Sequence, residues 1–284
     1  MKHTTLISAA ELAPHIFTPN WIVLDCRHDL ANPNAGIDAY HAGHIPNAQF
    51  AALDTDLADL TPAADGVFRG RHPLPAREAF VERLRSWGVN PDSQVVAYDA
   101  HGGMFAARLW WMLRWVGHDA VAVLDGGLTA WQAQGELLST EHASKLRGTI
   151  NAAAPLTATV AAEDVLANLD GGTRIVLDAR APDRFRGENE TLDPVGGHIP
   201  GAKNRFFKEN LQADGRFKPA HELRAAFDAL ITAPSATIVH CGSGVTACHH
   251  LLAMEIAGLP GAALYPGSWS EWCADPARPV GHGL

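Results

Sequence analysis

Short apolar runs alternate with longer amphipathic stretches along the whole chain. Residues 22–24, 95–98, 121–124, 175–177 and 237–239 are apolar or β-branched runs of strand length. Runs of this kind predict strands buried on both faces. Residues 75–88, 105–117 and 220–230 have the length and spacing of helices. The alternation predicts an α/β fold, with helices flanking a mostly parallel sheet. Functional sites in such sheets form beyond the C-terminal ends of strands.

The pattern occurs twice. Trp-Ile-Val-Leu-Asp-Cys-Arg at 21–27 is echoed by Arg-Ile-Val-Leu-Asp-Ala-Arg at 174–180. Gly-His-Ile-Pro-Asn-Ala at 43–48 returns as Gly-His-Ile-Pro-Gly-Ala at 197–202. Val-Val-Ala-Tyr-Asp at 95–99 aligns with Thr-Ile-Val-His-Cys at 237–241, and Leu-Asp-Gly-Gly…Trp131 with Tyr-Pro-Gly-Ser…Trp272. The offsets are 153 for Asp25 to Asp178 and 154 for His44 to His198, then 142 for Asp99 to Cys241 and 141 for Trp131 to Trp272. Two blocks of nearly constant offset, in conserved order, predict a duplicated domain. The expected organisation is a first domain at 1–140, a linker at 141–156 and a second domain at 157–284.

Composition narrows the function. The 284 residues carry a formal net charge of −9, with 47% hydrophobic and 19% charged residues. That balance fits a globular protein and argues against disorder. It also disfavours a general nucleic-acid binder, which needs a basic surface. No apolar run reaches the ~18 residues of a membrane span. The richest stretch, 109–124, is broken by Arg114, His118 and Asp119. The N-terminal residues lack the apolar core of a secretory signal, so the expected compartment is the cytoplasm.

Four cysteines, Cys26, Cys241, Cys248 and Cys273, make no disulfide framework in a chain of this length. Cys248-His249-His250 has the residue types of a metal site, but neighbouring side chains on a helix point apart. Neither a metal nor a cofactor is expected.

Cys241 stands out by position. It ends a predicted strand and opens the loop Cys241-Gly242-Ser243-Gly244-Val245-Thr246, which runs into a predicted helix. Two glycines permit backbone angles that turn N–H groups inward, and such a nest at a helix start accommodates negative charge. A cysteine at its base is expected to be held as a nucleophilic thiolate. Asp99 occupies the equivalent place in the first copy.

The Cys-Gly-Ser-Gly-Val-Thr loop, both Gly-His-Ile-Pro segments, Asp-Gly-Gly…Trp and Pro-Gly-Ser-Trp-Ser-Glu-Trp resemble the tandem-domain rhodanese family of sulfurtransferases. The loop is most similar to its 3-mercaptopyruvate branch. The resemblance implies two rhodanese domains, with Asp99 leaving the first catalytically silent. It implies transfer of a sulfane sulfur onto Cys241 as a persulfide, and then to a thiol or cyanide, with thioredoxin-like thiols fitting as acceptors. By position, Ser243, His72 and Asp54 match a proton relay, and Arg184 an arginine that binds the donor carboxylate. Gly242, Gly244, Val245 and Thr246 complete the expected donor-binding loop.

Basic residues after the cysteine, usual in the thiosulfate branch, are replaced here by Gly242 and Ser243. A second arginine, common in the mercaptopyruvate branch a few residues after the first, is absent from 188–194, which leaves Arg186 and Arg205 as substitutes. The alternatives are a thiosulfate sulfurtransferase, a non-catalytic rhodanese module and a cysteine phosphatase. A phosphatase loop needs an arginine six positions after the cysteine, where this chain has Ala247. A binding module would have lost the cysteine.

Overall fold

The computed structural model describes residues 2–283. The chain divides into two compact units. The first contains Met1–Asp59, Pro75–Leu156 and Leu211–Phe217; the second contains Leu60–Leu74, Thr157–Asn210 and Lys218–Leu284. The segment Leu60–Leu74, which carries His72, therefore packs with the second unit although it lies early in the sequence.

Each unit is built on a five-stranded sheet. The first has β1 (Leu6–Ile7), β2 (Trp21–Asp25), β3 (Gln49–Phe50), β4 (Gln94–Tyr98) and β5 (Val121–Leu124), in the order β1-β5-β4-β2-β3. The second has β6 (Ala158–Thr159), β7 (Ile175–Asp178), β8 (Lys203–Asn204), β9 (Thr237–His240) and β10 (Ala263–Leu264), in the order β6-β10-β9-β7-β8. The two orders are the same topology. Every strand pair within both sheets is parallel.

The helices of the first unit are α1 (Ala9–Leu12), α2 (Ala35–Ala42), α3 (Leu53–Asp56), α4 (Arg77–Ser86), α5 (Ala106–Trp115) and α6 (Gly127–Ala133). Those of the second are α7 (Ala162–Leu169), α8 (Pro182–Arg186), α9 (Ala220–Asp228), α10 (Thr246–Ile256) and α11 (Ser268–Trp272). Amphipathic spacing describes α4 well, since Phe80, Val81 and Leu84 are its buried residues. It describes α5 and α10 poorly. Residues 106–113 and 247–254 are buried without interruption, as in helices packed on all sides.

On α10, His249 and His250 are fully buried and both accept from the Asn210 amide, at 3.1 and 2.8 Å. Burial first, and the nearby Arg205 second, push the pKa of His250 down to about 3. His250 is thus neutral, in an internal hydrogen-bond network with Asn210 and His249. No group of three or more metal-ligating side chains occurs among the described residues. No helix among them is long and apolar enough to cross a membrane.

The repeated Leu-Asp-X-Arg segments explain themselves in space. Nε and Nη2 of Arg27 bind the Asp25 carboxylate, and Nη2 also reaches the Gly43 carbonyl at 2.8 Å. Arg180 does the same with Asp178 and the Gly197 carbonyl, the last at 2.6 Å. Each pair ties the end of a central strand to its Gly-His-Ile-Pro segment. Within that segment His44 stacks on Tyr40, and His198 on Phe185, both with centroids 3.9 Å apart.

Asp178 is fully buried, and burial alone would raise its pKa; the Arg180 guanidinium outweighs this and holds the carboxyl at about 2. A carboxyl depressed below its usual value stabilises the fold above that usual value. The contribution is lost as pH falls through the folded-state value. Stability in denaturant is therefore expected to decline between about pH 4 and pH 2. Asp178→Asn is expected to cost about 3 kcal/mol at neutral pH, because it leaves the buried Arg180 with only the more distant Glu190 carboxylate as a counter-charge, and to flatten that acid limb. Unchanged unfolding midpoints in the variant would contradict the role.

Candidate active site

The strands β4 and β9 occupy matching central places in their sheets and end at Tyr98 and His240. The next residues, Asp99 and Cys241, are held alike. The Asp99 carbonyl accepts from the Leu128 N–H and the Cys241 carbonyl from the Trp269 N–H, both at 2.9 Å.

The first loop is filled by its own side chain. The Asp99 carboxylate accepts from four backbone N–H groups: His101 (2.8 Å), Gly103 (2.9 Å), Phe105 (2.8 Å) and Ala106 (2.9 Å). A nest built for an anion is thus satisfied internally. At the place of Cys241, this copy has a carboxylate that fills its own cradle.

The second loop, 241–245, leads into α10 with Val245 as its N-cap and Thr246 as the first helical residue. The buried Cys241 sulfur accepts from the Gly244 N–H at 3.1 Å. Gly244 has φ +77°, the left-handed region that glycine enters without cost. Gly242 does not have a positive φ. Its value is space, because a Cβ there would meet Nη2 of Arg71 at 2.9 Å. Only one of the two loop glycines therefore serves the backbone turn.

Ser268, at the start of α11, supports the loop from behind. Its hydroxyl accepts the Cys241 N–H at 3.1 Å and donates to the Tyr265 carbonyl at 2.9 Å. Its φ is +55°, against +57° for Gly127 at the equivalent place in the first copy. A serine at such an angle costs on the order of 1 kcal/mol. The first copy avoids that cost with glycine. The second accepts it for a hydroxyl that fixes the Cys241 backbone.

His72 and Ser243 meet. The His72 Nδ1 lies 2.8 Å from the Ser243 Oγ, and both side chains are buried. With the ring proton on Nε2, Nδ1 accepts the serine hydrogen, and the pair can pass a proton. Their separation of 171 residues is bridged because Leu60–Leu74 packs in the second unit. Arg71 in the same segment donates its backbone N–H to the Ser270 hydroxyl at 3.1 Å. Asp54 is carried by the first unit, on α3, and is half-buried.

Arg184 on α8 is also beside the loop, with Nη1 and Nη2 3.5 Å from a Cβ built at Gly242. Its Nε and Nη2 bind the Glu190 carboxylate at 3.0 and 2.9 Å. The two arginines expected as substitutes are engaged elsewhere: Arg186 pairs with Glu188, and Arg205 with Glu209 and the side-chain amide oxygen Oδ1 of Asn210. The loop itself is uncharged, as its sequence reads, but Arg71 and Arg184 bring charge to it. Arg71, Asp193, Glu190 and Ser268 are the neighbours that sequence reasoning missed. The adjacency of Arg71 to His72 was the one available signal.

Residues 8–134 and 161–275 each match the rhodanese-like domain. The chain is 46% identical over 286 residues to a protein of Pseudomonas aeruginosa described as a probable 3-mercaptopyruvate sulfurtransferase, covering 100% of both chains. It is 33% identical over 280 residues to the thiosulfate sulfurtransferase of Mus musculus, covering 95% of this chain and 92% of that one. Among solved structures it is similar to SseA of Escherichia coli, a 3-mercaptopyruvate sulfurtransferase. The TM-score there is 0.81 at 36% identity, over 94% of this chain and 100% of that one.

Proposed function

The chain belongs to the rhodanese family of sulfurtransferases, and from that premise we propose that its sulfur donor is 3-mercaptopyruvate and its nucleophile Cys241. The enzyme works by the rhodanese mechanism, through a cysteine persulfide. The observation that carries the donor reading is the 2.8 Å contact of His72 with Ser243, two residues after Cys241 in a loop without charged side chains.

In the proposed step, the Cys241 thiolate attacks the donor sulfur and forms the S–S bond. The donor's C–S bond breaks, and its electron pair passes to carbon as the enolate of pyruvate. Protonation of that carbon yields pyruvate and leaves a Cys241 persulfide. Ser243, backed by His72, delivers the proton, and Asp54 is the third member of the proposed relay. The Gly244 N–H steadies negative charge on sulfur. An acceptor thiolate then attacks the outer sulfur and frees Cys241. Thioredoxin-like thiols, or cyanide, fit that second step. Arg184 binds the donor carboxylate, for which a planar guanidinium is well shaped.

Comparison of kcat/KM for 3-mercaptopyruvate and thiosulfate tests this reading. The expected preference is for 3-mercaptopyruvate. Arg184→Ala should raise its KM about 10–150-fold, the loss of one charge-assisted pair worth about 1.5–3 kcal/mol. A higher kcat/KM for thiosulfate, with KM for mercaptopyruvate unmoved in Arg184→Ala, would place the enzyme in the thiosulfate branch instead.

A further inference from the structure

The two copies differ at the residue just before the loop. In each sheet the last residue of the central strand pairs in register with the aspartate of the Leu-Asp-X-Arg segment, Tyr98 with Asp25 and His240 with Asp178. The Tyr98 hydroxyl is fully used: it donates to the Asp25 carboxylate at 2.6 Å and accepts the Ile45 N–H at 3.2 Å. His240 is equally buried but faces two ways. Its Nδ1 lies 3.2 Å from the Cys241 carbonyl oxygen. Its Nε2 lies 3.6 Å from Oδ2 of Asp178 and has no hydrogen-bond partner among the described residues. A carbonyl only accepts, so the ring proton sits on Nδ1 and the Nε2 lone pair faces the carboxylate. Burial pushes the imidazole pKa below its usual value; Asp178 pulls it back and Arg180 adds to the lowering. A neutral ring protonated on Nδ1 accounts for the gap to Asp178, which is too long for a hydrogen bond.

We propose that His240 is a positioning residue for the reacting sulfur, acting through the carbonyl of Cys241. The proposal rests on Cys241 as the nucleophile. A buried nitrogen without a partner costs stability, and Tyr98 shows a side chain that avoids the cost at the same place in the first copy. What the second copy gains in exchange is the bond to Cys241. That carbonyl has two donors, Nδ1 of His240 at 3.2 Å and the Trp269 N–H at 2.9 Å, while the Cys241 N–H is held by the Ser268 hydroxyl. Both sides of the residue are thus fixed, and the sulfur meets the Gly244 N–H in one orientation. The Cys241 carbonyl and the Gly242 N–H share one peptide plane. The same bonds therefore also set the direction of the next N–H of the loop. Fixing these groups before the donor arrives removes freedom that would otherwise be lost on the way to the transition state.

The test compares His240→Asn, His240→Gln and His240→Leu. An asparagine amide nitrogen takes the place of Nδ1 and a glutamine amide nitrogen that of Nε2, so only asparagine keeps a donor for the Cys241 carbonyl. Two rates are read. The first is alkylation of Cys241 by iodoacetamide at neutral pH, located by peptide mass, which needs no sulfur donor. The second is single-turnover release of pyruvate from 3-mercaptopyruvate. His240→Gln and His240→Leu should slow both about 5–10-fold, the loss of one neutral hydrogen bond. His240→Asn should stay within about twofold of the parent. Unfolding midpoints are measured on the same samples. Parent-like rates in His240→Gln and His240→Leu, equal losses in all three variants, or rates that follow the unfolding midpoints would overturn the assignment. Should His240→Leu not fold, the contrast of asparagine with glutamine carries the test. If alkylation shows the expected pattern but 3-mercaptopyruvate is not turned over, the role of His240 stands and the donor reading falls. If Cys241→Ser still transfers sulfur, the nucleophile reading falls and this assignment with it.

Discussion

Cys241→Ser is expected to leave no measurable sulfur transfer while keeping the fold. A hydroxyl is a far weaker nucleophile than a thiolate and cannot store a sulfane sulfur as a persulfide. Serine is close in size, and its oxygen can still accept the Gly244 N–H that now meets the sulfur, so loss of activity would report chemistry. The other cysteines provide the internal control. Burial, followed by the nearby Asp99 and Asp25, pushes the Cys26 thiol well above its usual range. Burial, with Asp193 next, pushes that of Cys273 up to about 11. Both are neutral thiols at pH 7 and poor nucleophiles. Cys248 donates its thiol to the Gly244 carbonyl at 3.3 Å, a bond that serine can replace. Cys26→Ser, Cys248→Ser and Cys273→Ser should therefore retain most activity when folded. Turnover of Cys241→Ser near the parent rate would remove the cysteine from the mechanism.

The second large effect falls on the proton. Ser243→Ala and His72→Ala are each expected to lower kcat about 10²–10⁴-fold, the range for a lost general acid–base group. KM should change by only a few-fold, because the contact acts as the enolate forms and not on donor binding. The double variant should be little worse than either single one, since a relay fails as a unit. Parent-like kcat in Ser243→Ala would make the 2.8 Å contact structural only.

Much of the fold was legible because duplication leaves a trace that propensity does not. Nearly constant offsets of 153–154 and then 141–142 between motifs anticipated two sheets of the same strand order. They also put Asp99 and Cys241 at matching strand ends. Spacing found the helix α5 within 105–117 but not that it is buried all round, since such a helix carries no polar face for spacing to reveal. Within the site, Ser243 and His72 were readable from motif position. Arg71 against Asp193 was not, because that pair is 122 residues apart in sequence and closes only through tertiary packing. The strain at Ser268 was hidden for a related reason. Only comparison with Gly127 in space shows that the second copy puts a side chain where the first keeps glycine.

One measurement reaches the sulfur itself. The protein is mixed with 3-mercaptopyruvate in the absence of any acceptor, released pyruvate is counted, and the digested chain is weighed peptide by peptide. The expected result is about one pyruvate per chain, released in a burst, with a gain of about 32 daltons confined to the peptide that contains Cys241. Adding a thiol or cyanide should remove that mass and restore turnover. No adduct on Cys241, or pyruvate release that waits for the acceptor, would contradict a persulfide enzyme and point to direct transfer between the two substrates.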